Sequence, residues 1–345
     1  MHQIKSPLIV GLIIICSLAL GCSLITQSQV FYLHKDATDN QQLRLFLATG
    51  STGGTYYALG NSIAQLWNAK LDNKVEIIAQ PSGASVENIK RIESGEAQLI
   101  MAMNDTADHA WNGRSEFHNK MTHFRSIGVI YPEVLQGVVL QDSNIDEFHD
   151  ILGKNIAIGP NGSGSATFIK EIINLEDLSK QNLNLFHIVI EDGISSMKQG
   201  RMDGLIGFFA VPSGAINDLA EERQIKLLSF SEELIKKIKE KHPLISRFTI
   251  PAGVYGNQQP VNTISLKAVL FCKNDLPNEL VYDLTKTLYE HRNELAGYHV
   301  AGHYLELETA LEGVTVPLHP GAAKYYKEKG LKIPYELDSV DFSYQ

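Results

Sequence analysis

Two glycine-rich turns hold the residues best suited to chemistry. Gly50-Ser-Thr-Gly-Gly-Thr55 runs into Tyr56, Tyr57 and an apolar helical pattern, and Gly159-Pro-Asn-Gly-Ser-Gly-Ser165 runs into another. Each reads as a buried strand, a turn of small residues and a helix start. Unpaired backbone N–H groups and the positive end of the helix dipole meet at such a start, so it holds an anion without a charged side chain. Ser51, Thr52, Thr55, Ser163 and Ser165 would add hydroxyl donors. Gly50, Gly53, Gly54, Gly162 and Gly164 would let the main chain come close to a ligand. Two shorter helices are expected to open at Ser82-Gly-Ala-Ser85 and Asp192-Gly-Ile-Ser195. Ser82, Gly83, Ala84 and Ser85 would complete one wall, and Asp192 would serve as a cap or as the partner of a ligand ammonium. Tyr56, Tyr131 and Phe208 would give the site the apolar surface usual for a small ligand.

Plainer readings exist for the same residues. The glycines could serve only the backbone angles of a tight strand-to-helix turn, and Ser163 and Ser165 could be helix caps. Enzyme patterns are weak. The first turn is not G-x-G-x-x-G, it lacks the lysine of a P-loop, and Gln80-Pro81 stand where a dinucleotide site places an acid. Neither G-x-S-x-G nor H-E-x-x-H occurs. His299 and His303 are four apart, but Gly297 and Gly302 argue against a firm helix there and no third ligand is evident. The expectation is therefore no catalytic residue, no metal and no cofactor. Cys272, in an apolar strand, reads as a small core residue.

Positioning these turns requires alternating strands and helices. Strands are expected at 43–49, 75–80 and 98–103, with helices at 57–71 and 85–94. The order recurs with strands at 155–159, 186–190 and 204–209 and helices at 165–175 and 195–199. Such alternation is the mark of parallel α/β architecture. Two strands around Pro132, within 124–141, would cross from one lobe to the other, and a strand at 262–273 would cross back. Helices are expected at 277–297, 306–311 and 321–329. The chain is thus read as an α/β, two-lobed, type II periplasmic-binding-protein-like fold with two crossing strands as hinge. Lobe 1 would be 43–136 plus 262–345, and lobe 2 would be 137–261.

Residues 1–21 read as an export signal, with an apolar run followed by Ala19-Leu-Gly-Cys22. That ending resembles a bacterial lipobox, which implies lipidation of Cys22, with 22–42 as a tether. An uncleaved N-terminal anchor is the alternative, because the uncharged run approaches the length that spans a bilayer. Either way the body is expected outside the cytoplasmic membrane, at its periplasmic face. The net charge of −9 offers nothing to nucleic acid and no long-range attraction for anions.

Five separated motifs resemble the TAXI family of solute receptors for TRAP transporters: Thr49-Gly-Ser-Thr-Gly-Gly-Thr-Tyr-Tyr57, Gly83-Ala-Ser-Val-Glu-Asn88 with Ser94-Gly-Glu-Ala97, Gly159-Pro-Asn-Gly-Ser-Gly164, Ile250-Pro-Ala-Gly-Val-Tyr255 and Pro317-Leu-His-Pro-Gly-Ala322. The similarity runs over about 43–333. It implies no catalysis, capture of a small organic anion (a carboxylate or an acidic amino acid such as glutamate) and delivery to a TRAP permease. The binding loops it implies are 50–57, 82–85 and 162–165. Ser82 and Ala84 stand where the family usually has Thr and Gly, and Ser165 stands where Thr is common. An α/β enzyme using the same loops for phosphate, and a sensor or scaffold lipoprotein, are the competing readings.

Overall fold

The computed structural model describes residues 42–71, 75–178 and 181–338, so the expected export signal, Cys22 and most of the expected tether lie outside the described residues. By contact, Gln42–Gln345 forms one unit. The chain opens with β1 (Leu43–Ala48), α1 (Thr55–Lys70), β2 (Val75–Gln80), α2 (Ser85–Ser94) and β3 (Leu99–Met103). Next come α3 (Asn104–Asn112) and the long β4 (Phe124–Leu140). A second series follows: β5 (Asn155–Ala157), α4 (Gly164–Leu175), β6 (Asn184–Phe186), α5 (Ile190–Lys198) and β7 (Gly204–Phe209). The remainder is α6 (Gly214–Glu222), β8 (Ile225–Leu228), α7 (Glu232–Lys241), β9 (Ser246–Ile250), β10 (Val261–Lys273), α8 (Asn278–Glu290), α9 (Arg292–Tyr298) and α10 (Pro320–Glu328).

One sheet runs β2-β1-β3-β10-β4-β7-β5-β6, with β8 on β4 and β9 on β10. Its two ends have the same plan. β1 lies parallel between β2 and β3, and β5 lies parallel between β6 and β7. Each of these half-sheets meets a crossing strand antiparallel: β3 meets β10, and β7 meets β4. Crossover helices cover the parallel strands, so the strands are largely apolar; β3 is buried along its whole length.

Each crossing strand belongs to two cores. Ile127, Ile130 and Tyr131 of β4 pack with Leu45, Leu47 and Trp67, whereas Leu135 and Val139 pack with Ile156, Phe168 and Ile172. In β10 the order reverses, with Ile264 and Leu266 in the second core and Ala268 and Leu270 in the first.

Several expected elements differ from those observed. β4 is a single strand, not two strands around Pro132. Pro132 lies opposite Lys267 of β10, just before pairing with β7 begins at Val134, so its missing N–H interrupts no ladder there. Helix α5 begins at Ile190, so Asp192, Gly193 and Ser195 lie inside it rather than opening it. Ile190, Ile194 and Met197 form its buried face, and a Cβ on Gly193 would meet that of Ala157 at 3.2 Å, so this glycine serves close packing on β5. The expected helix at 306–311 is a run of turns; six residues are too few to offset helix nucleation without caps. Cys272 is fully buried in β10. His299 Nδ1 accepts the Ala301 N–H and so caps a short turn. Among the described residues no helix is long and apolar enough to cross a membrane.

Candidate functional site

The carboxyl ends of β1 and β5 lead into the two glycine-rich turns, and a cavity of about 90 Å³ lies between those turns. It brings together Gly50, Ser51, Gly54, Thr55, Tyr56, Ala84, Ser85 and Tyr131 from one side with Ser163, Gly164, Ser165 and Phe208 from the other. Ligand contact had been expected of all of these. Thr52, Gly53, Ser82, Gly83 and Gly162 are not in the lining, because their polar groups are used within the protein. The Ser82 hydroxyl donates to Asn88 Oδ1 at 2.6 Å, the Gly83 N–H donates to Glu87, and the Gly162 carbonyl accepts the Val86 and Glu87 N–H groups. The start of α2 is therefore satisfied by the opposing turn.

The first turn is engaged from across the cavity mouth. Thr52 Oγ1 donates to Glu191 Oε1 of α5 at 2.9 Å, and the Gly53 N–H donates to the same oxygen. A Cβ on Gly53 would run into the Glu191 side chain, so close approach fits this glycine. Gly50, Gly53 and Gly54 are absent from the positive-φ residues, whereas Gly159 and Gly162 both have φ of 91°. The backbone-angle reading therefore fits the second turn and not the first.

At the second turn, Ser163 caps α4 by accepting the Ala166 N–H at 3.0 Å. Helix geometry leaves the Gly164 and Ser165 N–H groups without an intrahelical carbonyl. Ser165 Oγ accepts the Phe208 N–H at 3.1 Å, which leaves its own proton to donate. Thr55 reaches across in the same way, its Oγ1 accepting the Ala210 N–H at 3.4 Å. Asn88, fully buried, donates to the Thr49 and Met101 carbonyls and so fixes the ends of β1 and β3 from which the first turn springs.

Sequence reasoning missed Glu133, which lies in the lining and is only 4% exposed. Tyr56 Oη donates to its Oε2 at 2.7 Å, and Tyr131 Oη donates to Oε1 at 3.4 Å. The two rings meet edge to face, with centroids 6.2 Å apart. Burial pushes the Glu133 carboxyl up to about 8, partly opposed by the tyrosine hydrogen bonds. Burial and the nearby Glu133 charge hold both tyrosines well above their usual range, so they remain protonated donors. The signal was present: Glu133 is the only charged residue of β4 after Arg125, and it stands two places from Tyr131, on the same face of the strand. Also unanticipated were Met103, at the end of β3, and Ile188, Ile190 and Leu205, which with Phe208 and Phe209 make the far wall mostly apolar. Among the described residues the lining holds no lysine, arginine or histidine.

Solved structures resemble this chain at low identity. One from a study of glutathione import in Gram-positive bacteria, via GshT and the cystine ABC importer TcyBC of Streptococcus mutans, has a TM-score of 0.51 at 14% identity, covering 77% of this chain and 98% of that one. The substrate-binding protein of an amino acid ABC transporter has a TM-score of 0.46 at 14% identity, covering 75% and 96%. The first likeness is one of fold: a mixed α/β, type II binding-protein arrangement. In sequence, the model of the NMT1-like family matches residues 47–330, and the chain belongs to that family.

Proposed function

We propose that the chain is an extracytoplasmic receptor that captures a small carboxylate-bearing solute between its two half-sheets and presents it to a membrane permease. The observation that carries this reading is the cavity itself. The starts of α1 and α4 reach it from opposite half-sheets, each with donors that helix geometry leaves unpaired. A carboxylate between them is held by dipoles and hydroxyls rather than by a cation.

Residues 43–136 with 262–345, and residues 137–261, would then act as two lobes, with β4 and β10 as the connection that flexes. A ligand touching both lobes favours the closed arrangement by the difference in its affinity for the two states. The resemblance to TAXI receptors makes a TRAP-type permease the favoured recipient. An anchor at Cys22 would keep the body beside it.

A thermal-shift screen of the full-length chain tests the reading. Carboxylates or amino acids should raise the melting temperature, with stabilisation of about 2.7 kcal/mol at roughly a hundredfold excess over Kd. Stabilisation by nucleotides or phosphate, with none by carboxylates, would replace the receptor reading with the α/β enzyme.

A further inference from the structure

Building on the receptor reading, we infer that Glu133 selects the solute, and that the solute is an α-amino acid with a small apolar side chain, its ammonium on Glu133 and its carboxylate at the start of α4. The cavity has opposite polarity at its two poles. One pole is the Glu133 carboxyl, which among the described residues is the only ionisable acid or base of the lining apart from its two tyrosines. Both tyrosine hydroxyls point their protons at it, so it is set up as an acceptor. The other pole is made of donors: the Gly164 and Ser165 N–H groups and the Ser165 hydroxyl. With one carboxylate held between the starts of α4 and α1, a dicarboxylate would place its second charge either on Glu133 or on the apolar wall of Ile188, Ile190, Leu205 and Phe208. The wall gives that charge no partner, and Glu133 can receive it only by keeping its own proton, whereas an ammonium pairs with the carboxylate form. A zwitterion with an aliphatic side chain matches both poles and the wall. Size agrees: about 90 Å³ holds roughly six to nine water-sized groups, the scale of valine or leucine.

The groups that face Glu133 define its titration. Tyr56 comes from α1 and Tyr131 from β4, and Asp105 of α3 adds a like charge. Lys267 of β10 is directed to Glu312 at 3.2 Å. In the ligand-free protein near neutral pH the carboxyl is mostly protonated. An incoming ammonium favours the carboxylate, so the carboxylic acid gives up its proton to solvent and the ion pair forms.

Isothermal titration calorimetry on the full-length chain tests this with L-valine, L-leucine, L-glutamate and the keto acids of valine and leucine. Valine or leucine should bind about tenfold or more tighter than glutamate and than the keto acid of the same skeleton. Repeating the titration at about pH 7 in buffers of different ionisation enthalpy should show proton release, which shrinks as pH rises toward about 9 and the free carboxyl ionises. Glu133→Gln should remove the preference for amine over keto acid and abolish the release. Should that variant fail to fold, the wild-type amine-to-keto ratio and the proton count decide. A keto acid or glutamate binding tightest, or proton uptake with valine at about pH 7, overturns the proposal while leaving a carboxylate receptor intact. No binding of any of the five, with no stabilisation by other carboxylates, overturns both.

Discussion

Ala84 shows how a single residue can be read twice. It has φ of 74° and ψ of −146°, a region that glycine enters freely and other residues occupy under strain. It also lines the cavity. Relief of strain is worth about 1–3 kcal/mol, against about 0.5–1 kcal/mol for the looser unfolded chain. Ala84→Gly is therefore expected to stabilise the protein by about 1 kcal/mol in denaturant unfolding. Glu133 yields a second expectation. Its folded pKa of about 8 lies above the unfolded carboxylate value, so the folded protein holds the proton across that window and loses stability as pH rises through it. Asp105, raised to about 7, adds to the same trend, so the comparison must be between variants. The melting temperature of Glu133→Gln should gain on that of the wild type from about pH 5 to about pH 8, and level off above about pH 9. A constant difference would show that Glu133 is ionised throughout. Of the cavity lining, Gly50, Ser51, Gly54, Thr55, Ser163, Gly164 and Ser165 were legible in the sequence, because turn chemistry is local. Glu133 comes from a strand far along the chain, and only the pairing of β4 with β10 brings it beneath Tyr56.

Among the elements, the bounds of β2 and α2 were legible to the residue. Alternation and the left-handed Gly95 after α2 (φ of 84°) mark the ends from local chemistry alone. α5 was placed five residues late because Asp192-Gly193 reads as a turn, and only packing against Ala157 shows that this glycine belongs in a helix. α7 was overlooked although Ser231 caps it and Leu234, Ile235 and Ile238 form an apolar stripe. The start of α5 matters most for the site, since Glu191 there occupies the first turn. Its Oε2 is buried and has no partner among the described residues, so the contact with Thr52 and Gly53 is made at a cost. Glu191→Ala should free the first turn: amide hydrogen exchange across residues 50–57 should rise at least several-fold, while β1 stays protected. Equal protection in the two proteins would mean that the turn is held by its own residues.

For the whole molecule, the repeated order β2-β1-β3 and β6-β5-β7 is the main organising fact. The sequence carried it as two copies of strand, glycine-rich turn and helix, and it survives in the sheet with the crossing strands between the copies. What the sequence left open was how the copies face each other, because that depends on antiparallel pairings more than a hundred residues apart. Their arrangement sets one polar turn against another over a mostly apolar wall.

A crystal structure of the full-length chain grown with millimolar L-leucine or L-valine tests the central claim most directly. The amino acid should lie in the cavity, its carboxylate within hydrogen-bond distance of the Gly164 and Ser165 N–H groups. Ordered water there, with the same amino acid bound at another surface or at none, would contradict the account.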